Sequence, residues 1–264
     1  MTVTAEEIDD GVVRLRCRTW RGAAVGYDVS AYVVHDVLVD TGFALVRDDF
    51  LRALDRLSVR GAVVTHQHED HAGNVVALAE RGLPIAMHAE CESVLRARPS
   101  IGLYRHATWG QPPRLTAPLA AFDVTPLELI SLPGHTSDHL AVWHATDRVL
   151  VSGDLFLGVK VRVAHHDESP RRLIDSLRAA AALNPRLLLD AHRGPIADPA
   201  PLLRAKASWL EATVARVVEA ADRGETDSEI ARRVLGRESL VGWASFGEYS
   251  KRALVQAMLR DRVP

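Results

Sequence analysis

A chain of 264 residues can form one large α/β domain, or a domain of about 200 residues with a small appendage. Apolar residues at 47% and charged residues at 25% match an ordinary globular protein, and 32 Lys+Arg against 34 Asp+Glu leave a net charge of −2, so no global basic field recruits nucleic acid or an anionic membrane. No apolar run is long enough to span a bilayer, and the acidic start Met1-Thr2-Val3-Thr4-Ala5-Glu6-Glu7 lacks the apolar core of a signal peptide, so a cytoplasmic protein is expected. Cys17 and Cys91 stand far apart and outside any Cys-x-x-Cys spacing. They are expected as buried thiols rather than as a disulfide or metal ligands.

The first third alternates in the β manner. Residues 12–17, 30–34 and 37–40 read as short strands, with His35-Asp36 as the hairpin turn between the last two. Leu45, Phe50, Leu51, Leu54 and Leu57 fall on one helical stripe. The strand Gly61–Thr65 follows, then a cluster of His and Asp, a helix over about 72–81 ended by Gly82, a strand at 84–87 and a short helix at 90–96. Residues 98–118, with Pro99, Pro112, Pro113 and Pro118, read as a long irregular loop carrying Tyr104, Arg105, His106 and Trp109, either a substrate lid or ordinary loop packing. Strands resume at 127–132, 140–144 and 149–152, and a helix over 170–183 leads into a strand at 186–190. Beyond Pro201 the composition turns helical. An amphipathic stretch spans 202–223, Thr226-Asp227-Ser228-Glu229 is a capping-box signature opening a helix through Leu235, and a third helix is expected within 245–260. The expected architecture is an α/β body over residues 1–200 with a helical C-terminal extension over 201–264.

Chemistry concentrates after the predicted strands. His66-Gln67-His68-Glu69-Asp70-His71 places four potential metal ligands, His66, His68, Asp70 and His71, in six positions. Neutral imidazole with carboxylate suits zinc or a similar borderline cation. In an extended segment His66 and His68 project to one side, while Asp70 and His71, at the turn into the next helix, can serve a neighbouring point. His135, Asp154 and His192 each follow another predicted strand, where side chains converge on one edge of a sheet core. Seven ligands are enough for two metals with positions left for water.

This constellation resembles the metallo-β-lactamase superfamily. The His-x-His-x-Asp-His motif is complete, Asp40-Thr41-Gly42 stands upstream, and the Gly-His-Thr, Gly-Asp and final His segments follow in the family's order, over about residues 10–197. The resemblance implies an αββα sandwich of two mixed sheets flanked by helices. It implies His66, His68 and His135 on one metal, Asp70, His71 and His192 on the other, and Asp154 bridging them. The cofactor expected is two zinc ions per chain, with iron or manganese as alternatives. A bridging carboxylate is more similar to the glyoxalase II, lactonase and ribonuclease branches than to the true β-lactamases. Gly134-His135-Thr136-Ser137-Asp138-His139 with the helical tail is similar to the β-lactamase-like endoribonuclease and glyoxalase II-like groups.

The function expected is hydrolysis of a small ester-like bond, a thioester, lactone or related acyl substrate, with Asp70 also orienting the attacking water and Asp40 fixing a ligand imidazole. Alternatives are a phosphodiesterase or ribonuclease, β-lactam hydrolysis, a persulfide dioxygenase-like single iron, and a binding protein that keeps the fold without the chemistry. A small-molecule substrate is expected as partner, without nucleic acid or membrane, and the C-terminal helices read as a structural cap or a homodimer surface. Lys160 and Arg162 alternate along 159–163 and could hold an anionic group or form a solvated strand face. Among the other histidines, His139, four residues after His135, is the best further candidate.

Overall fold

The computed structural model describes residues 2–19 and 28–261. Its first sheet has six strands in sequential order: β1 (Thr2–Asp9), β2 (Val12–Arg18), β3 (Val29–Val34), β4 (Val37–Val39), β5 (Gly61–Val63) and β6 (Ile85–Ala86). The first four pair antiparallel through hairpins, while β4, β5 and β6 run parallel, each connected through helices. Those helices are α1 (Arg47–Leu54), then α2 (Glu69–Ala72) and α3 (Val75–Glu80). Two more, α4 (Ala89–Ala97) and α5 (Leu103–Trp109), lead out of the sheet. The second sheet contains β7 (Glu128–Ser131), β8 (Leu140–His144) and β9 (Val149–Gly153). A small ribbon strand, β10 (Ala164–His165), and helix α6 (Pro170–Ala182) precede its last strands, β11 (Leu187–Asp190) and β12 (Gly194–Ala197), and the order is β12-β11-β9-β8-β7.

Alternation along the strands builds the layers. Tyr32, Val34, Val37, Val39, Val63, Val142, Val149, Val151, Leu187 and Leu189 meet between the sheets. Their neighbours Ala31, Val33, Leu38 and Ala62 face outward under α1, α3 and α4, and Ala141, Trp143, Leu150 and Leu188 face outward under α6 and the C-terminal helices. A period-two side chain on a strand buried on both faces sends apolar groups into two cores at once. The αββα sandwich follows from that continuous apolar content.

The remaining helices are α7 (Ala200–Asp222), α8 (Asp227–Ile230, continued by a π-helical turn at Ala231–Leu235), α9 (Leu240–Ala244) and α10 (Lys251–Arg260). Leu203, Ala207, Leu210, Ile230, Leu254 and Met258 join the core outside the second sheet, so the extension packs on that face. The capping box at Thr226 is present, with Thr226 N donating to Glu229 Oε2 at 2.9 Å.

Several elements differ from the sequence reading. The loop over 98–118 contains α5, whose Tyr104 and Trp109 turn towards the site. The helix expected at 72–81 begins at Glu69 and is interrupted between Ala72 and Val75, and Gly82 follows it with φ 77. The stripe at 45–57 is a 3-10 turn followed by α1, ending at Leu54. Residues 159–163 are not a strand; they run as a loop along a cavity. The third helix expected within 245–260 is α10, and the elements the sequence reading lacked in this region are α9 and a ribbon strand β13 (Tyr249–Ser250) that pairs with β10. Positive φ at Phe246 and Gly247 breaks the helical run there. The strands β1 and β12 carried too few apolar residues to read as strands, β1 because most of it is exposed. Cys17 and Cys91 are both free and buried.

Leu188 is fully buried under the helices. Leu188→Ala is expected to lower unfolding free energy by about 2–5 kcal/mol in urea titration, and a change below about 1 kcal/mol would contradict the packing described.

Candidate metal centre

The site lies where the ends of β4, β5, β7, β9 and β11 open between the sheets. β4 delivers Asp40, whose φ of 65 turns the chain sharply after the strand. Its carboxylate accepts hydrogen bonds from Thr65 N at 2.8 Å and Thr65 Oγ1 at 2.9 Å, and lies 2.7 Å from His71 Nδ1. A carboxylate only accepts, so that imidazole carries its proton on Nδ1 and directs Nε2 inward. Asp40 therefore does fix an imidazole. The α2–α3 break has a local cause: Gly73 lies so close to the 42–43 backbone that a Cβ there would meet Phe43 Cα at 2.5 Å, and its amide donates to Gly42 O at 2.9 Å.

The seven residues expected from the sequence come together, all but His192 nearly or fully buried. His66 Nε2 and His135 Nε2 are each 3.1 Å from His68 Nδ1, and His135 Nε2 is 3.4 Å from Asp154 Oδ2. On the other side, His71 Nε2 and His192 Nε2 are each 3.3 Å from Asp154 Oδ1, and Asp70 Oδ2 is 3.4 Å from His192 Nε2. The result is two donor groups, His66-His68-His135-Asp154 and Asp70-His71-His192, with the two oxygens of Asp154 turned to different groups.

The donor set fits divalent cations. His71 Nε2 and Asp154 Oδ1 are buried without a hydrogen-bond partner among the described residues, a costly arrangement unless a cation engages them. Burial holds His66 and His68 well below the usual imidazole pKa, reinforced by the neighbouring imidazoles, so both keep ligating lone pairs. At His71 burial works in the same direction, but the carboxylates of Asp154, Asp40 and Asp70 outweigh it and raise the pKa. Burial alone would raise Asp154; His192 and His71 instead draw it well below the carboxylate range.

Around this cluster stand residues that support it, of which the sequence reading named Arg105 only for a lid or loop packing and His139 only as a further candidate. Arg105 on α5 clamps Glu69 with bonds of 2.6 and 2.9 Å and reaches Glu248 at 3.4 Å, tying the motif to the C-terminal segment. Asp190 Oδ1 accepts from the amides of His192 and Arg193 at 2.9 and 2.7 Å, holding the turn that carries His192. His139 is not among the two donor groups: its Nε2 accepts from Asp154 N at 3.2 Å, and burial pushes its pKa down to about 3, consistent with an acceptor nitrogen. Asp190 and His139 stand beside the motifs in sequence, whereas Arg105 and Lys206 lie well away from them. Lys206 on α7 is buried and donates to Leu155 O and Phe156 O at 2.9 and 2.6 Å, pinning the loop after Asp154; burial lowers its pKa to about 8.

A cavity of about 540 Å³ opens beside His68, Asp70, His135, Asp154 and His192. Its other walls include Tyr104, Trp109, Val159, Lys160, Arg162 and Leu254. Such a volume matches small-molecule pockets.

The family model for the metallo-beta-lactamase superfamily matches residues 24–192. The chain belongs to that superfamily. Hydroxyacylglutathione hydrolase of Shewanella sp. (strain ANA-3) is 32% identical over 147 residues, which is 55% of this chain and 52% of that protein. Beta-lactamase-like protein 2 homolog of Caenorhabditis elegans is 27% identical over 168 residues, 61% of this chain and 53% of that protein. The chain thus spans about half the length of these curated relatives. Among solved structures, a metallo-beta-lactamase family protein from Thermus thermophilus superposes with a TM-score of 0.69 at 21% identity, covering 97% of this chain and 95% of that one. The metallo-beta-lactamase FIM-1 from Pseudomonas aeruginosa gives 0.62 at 20% identity over 80% of this chain and 96% of that one. These likenesses show the metallo-beta-lactamase fold. No helix among the described residues is long and apolar enough to cross a membrane.

Two outcomes are expected. Asp40→Asn should weaken metal affinity about 10–100-fold in chelator competition, because His71 loses the acceptor that orients it; unchanged affinity would limit Asp40 to holding the loop. The Lys206 pKa is depressed on folding, so the unfolded chain binds more protons between about pH 8 and the ordinary lysine pKa, and this group makes stability rise with pH across that window. Comparing the pH dependence of unfolding for the parent and Lys206→Met isolates that rise, which should be missing from the variant; identical slopes would contradict it.

Proposed function

We propose that this superfamily member is a dinuclear metal hydrolase, with zinc as its metal, acting on a small ester-like acyl substrate such as a thioester or lactone. The observation that carries the reading is Asp154: one buried carboxylate turns each oxygen to a different histidine group, the disposition of a bridging ligand. His66, His68 and His135 would hold one ion, Asp70, His71 and His192 the other. Bound there, a pair of divalent cations supplies an acidified water and polarises the carbonyl under attack.

The chain's own residues prepare that chemistry. Asp40 and the carbonyl of Asp28 hold the Nδ1 edges of His71 and His192, at 2.7 and 2.9 Å, so that both Nε2 atoms face the centre. Asp70 directs one oxygen to His192, and its second oxygen is the one we assign to accepting a hydrogen bond from the attacking water. Tyr104, Trp109 and the valines of the 159–163 loop form a largely apolar wall that accepts an acyl group and keeps bulk water away.

The acyl reading is supported by the similarity to proteins named hydroxyacylglutathione hydrolase. A small-molecule partner agrees with the cavity's size, and a reducing, cytoplasmic setting agrees with two buried free thiols. Nucleic acid is disfavoured by the net charge of −2.

The test is a panel of thioesters, lactones, β-lactams and bis-p-nitrophenyl phosphate assayed with zinc-reconstituted protein, alongside metal analysis. Acyl substrates are expected to turn over, with two of the bound zinc ions per chain lost when the donors of this centre are replaced. Asp154→Ala and His68→Ala should each cut turnover at least about a hundredfold. Preference for the phosphodiester, or full activity in both variants, overturns the assignment.

A further inference from the structure

We propose a second metal site, formed by His35, His144 and Asp147 at the pole of the sandwich opposite the main centre, which takes one zinc-like divalent cation and clasps the two sheets together. Its donors come from hairpins of different sheets. His35 occupies the β3–β4 turn of the first sheet, while His144 ends β8 and Asp147 lies in the β8–β9 turn of the second. Asp40 and Asp154 follow the other ends of β4 and β9, so the two sites share no ligand.

In the donor triangle the two ring nitrogens have zinc-site spacing, while the carboxylate oxygen sits at hydrogen-bond distance from both. Asp147 Oδ2 is 3.0 Å from His35 Nε2 and 2.8 Å from His144 Nδ1, and the two ring nitrogens are 3.4 Å apart. Donors around a tetrahedral zinc, with bonds of about 2.0–2.2 Å, stand roughly 3.3–3.5 Å apart. Within the main centre the corresponding separations are 3.1 and 3.4 Å. Without a cation, two neutral imidazoles must each spend a proton on the same carboxylate oxygen, through nitrogens that also face each other. A cation replaces both protons and engages all three lone pairs at once. Two imidazoles with one carboxylate favour zinc, cobalt, nickel or copper over calcium and magnesium.

The triangle is held in place by its surroundings. His144 is buried at the end of its strand. His35 has a left-handed backbone, φ 57, and its amide donates to Gly11 O at 2.6 Å. A Cβ on residue 11 would fall 2.7 Å from His35 Nδ1, so Gly11 leaves the space the ring occupies and Nε2 is the edge turned to the cluster. The side chains of His35 and Asp147 are 41% and 34% exposed, which leaves water access for the fourth ligand position. The same pole already joins the sheets through Arg186, which pairs with Asp9 and donates to Asp147 O at 3.3 Å.

The zinc-loaded protein, dialysed against zinc, is compared with His35→Asn, which tolerates the left-handed backbone, and with Asp147→Asn. Each variant is expected to hold one zinc per chain fewer than the parent by elemental analysis, with turnover at the main centre unchanged. Zinc at about ten times its dissociation constant should also raise the parent's Tm by roughly 3–5 °C more than that of either variant. Because the readout is a difference between parent and variant, it reports on this site whatever the main centre holds. Equal zinc content and an equal Tm response in parent and both variants overturn the proposal.

Discussion

The structure is organised around a burial problem. Asp70, Asp154, His66, His68, His71 and His135 are packed within a few ångströms of one another at the mouth of an otherwise apolar sandwich. Withdrawing carboxylates and imidazole lone pairs from water costs several kcal/mol per group unless something replaces the lost hydration. Their mutual contacts do this only in part, since His71 Nε2 and Asp154 Oδ1 lack hydrogen-bond partners among the described residues. Bound metal would resolve the problem, and much of the surrounding structure keeps the donors aimed at one another.

That aiming is done by backbone and by outer partners. Asp40 ties Thr65 and His71 together, Asp190 holds the His192 turn, and the Asp154 amide is anchored on His139. The two apolar cores outside the sheets fix the strands from which these residues emerge. A displacement of one strand end would therefore spoil ligands and their supports together, as expected where packed cores shift discretely rather than bend.

The C-terminal region belongs to this arrangement as well. Lys206 braces the loop after Asp154, Glu248 shares Arg105 with Glu69, and Leu254 lines the cavity. Similarity to FIM-1 covers 80% of the chain, whereas the Thermus thermophilus protein covers 97% of it. Exposed Leu240, Trp243 and Phe246 stand on and just after α9, whose Val241 reaches the cavity.

By itself the sequence picked out the His and Asp residues that gather at the site and most of the core. Donor spacing at 66–71 is local, and so are the continuous apolar runs of β4, β9 and β11, so both are legible without knowledge of contacts. Helix starts with strong caps, such as Thr226, were legible for the same reason. Tertiary structure alone decided the rest. The exposed strand β1 gains its hydrogen bonds from β2, the two-residue ribbon β10–β13 exists only as a pair, and α5 hides within a proline-rich stretch. Arg105, Lys206, Gly11 and the His35–His144–Asp147 triangle depend on partners far away in the chain. Their meaning is a matter of distance in space, and a residue's own neighbours in sequence carry no record of it.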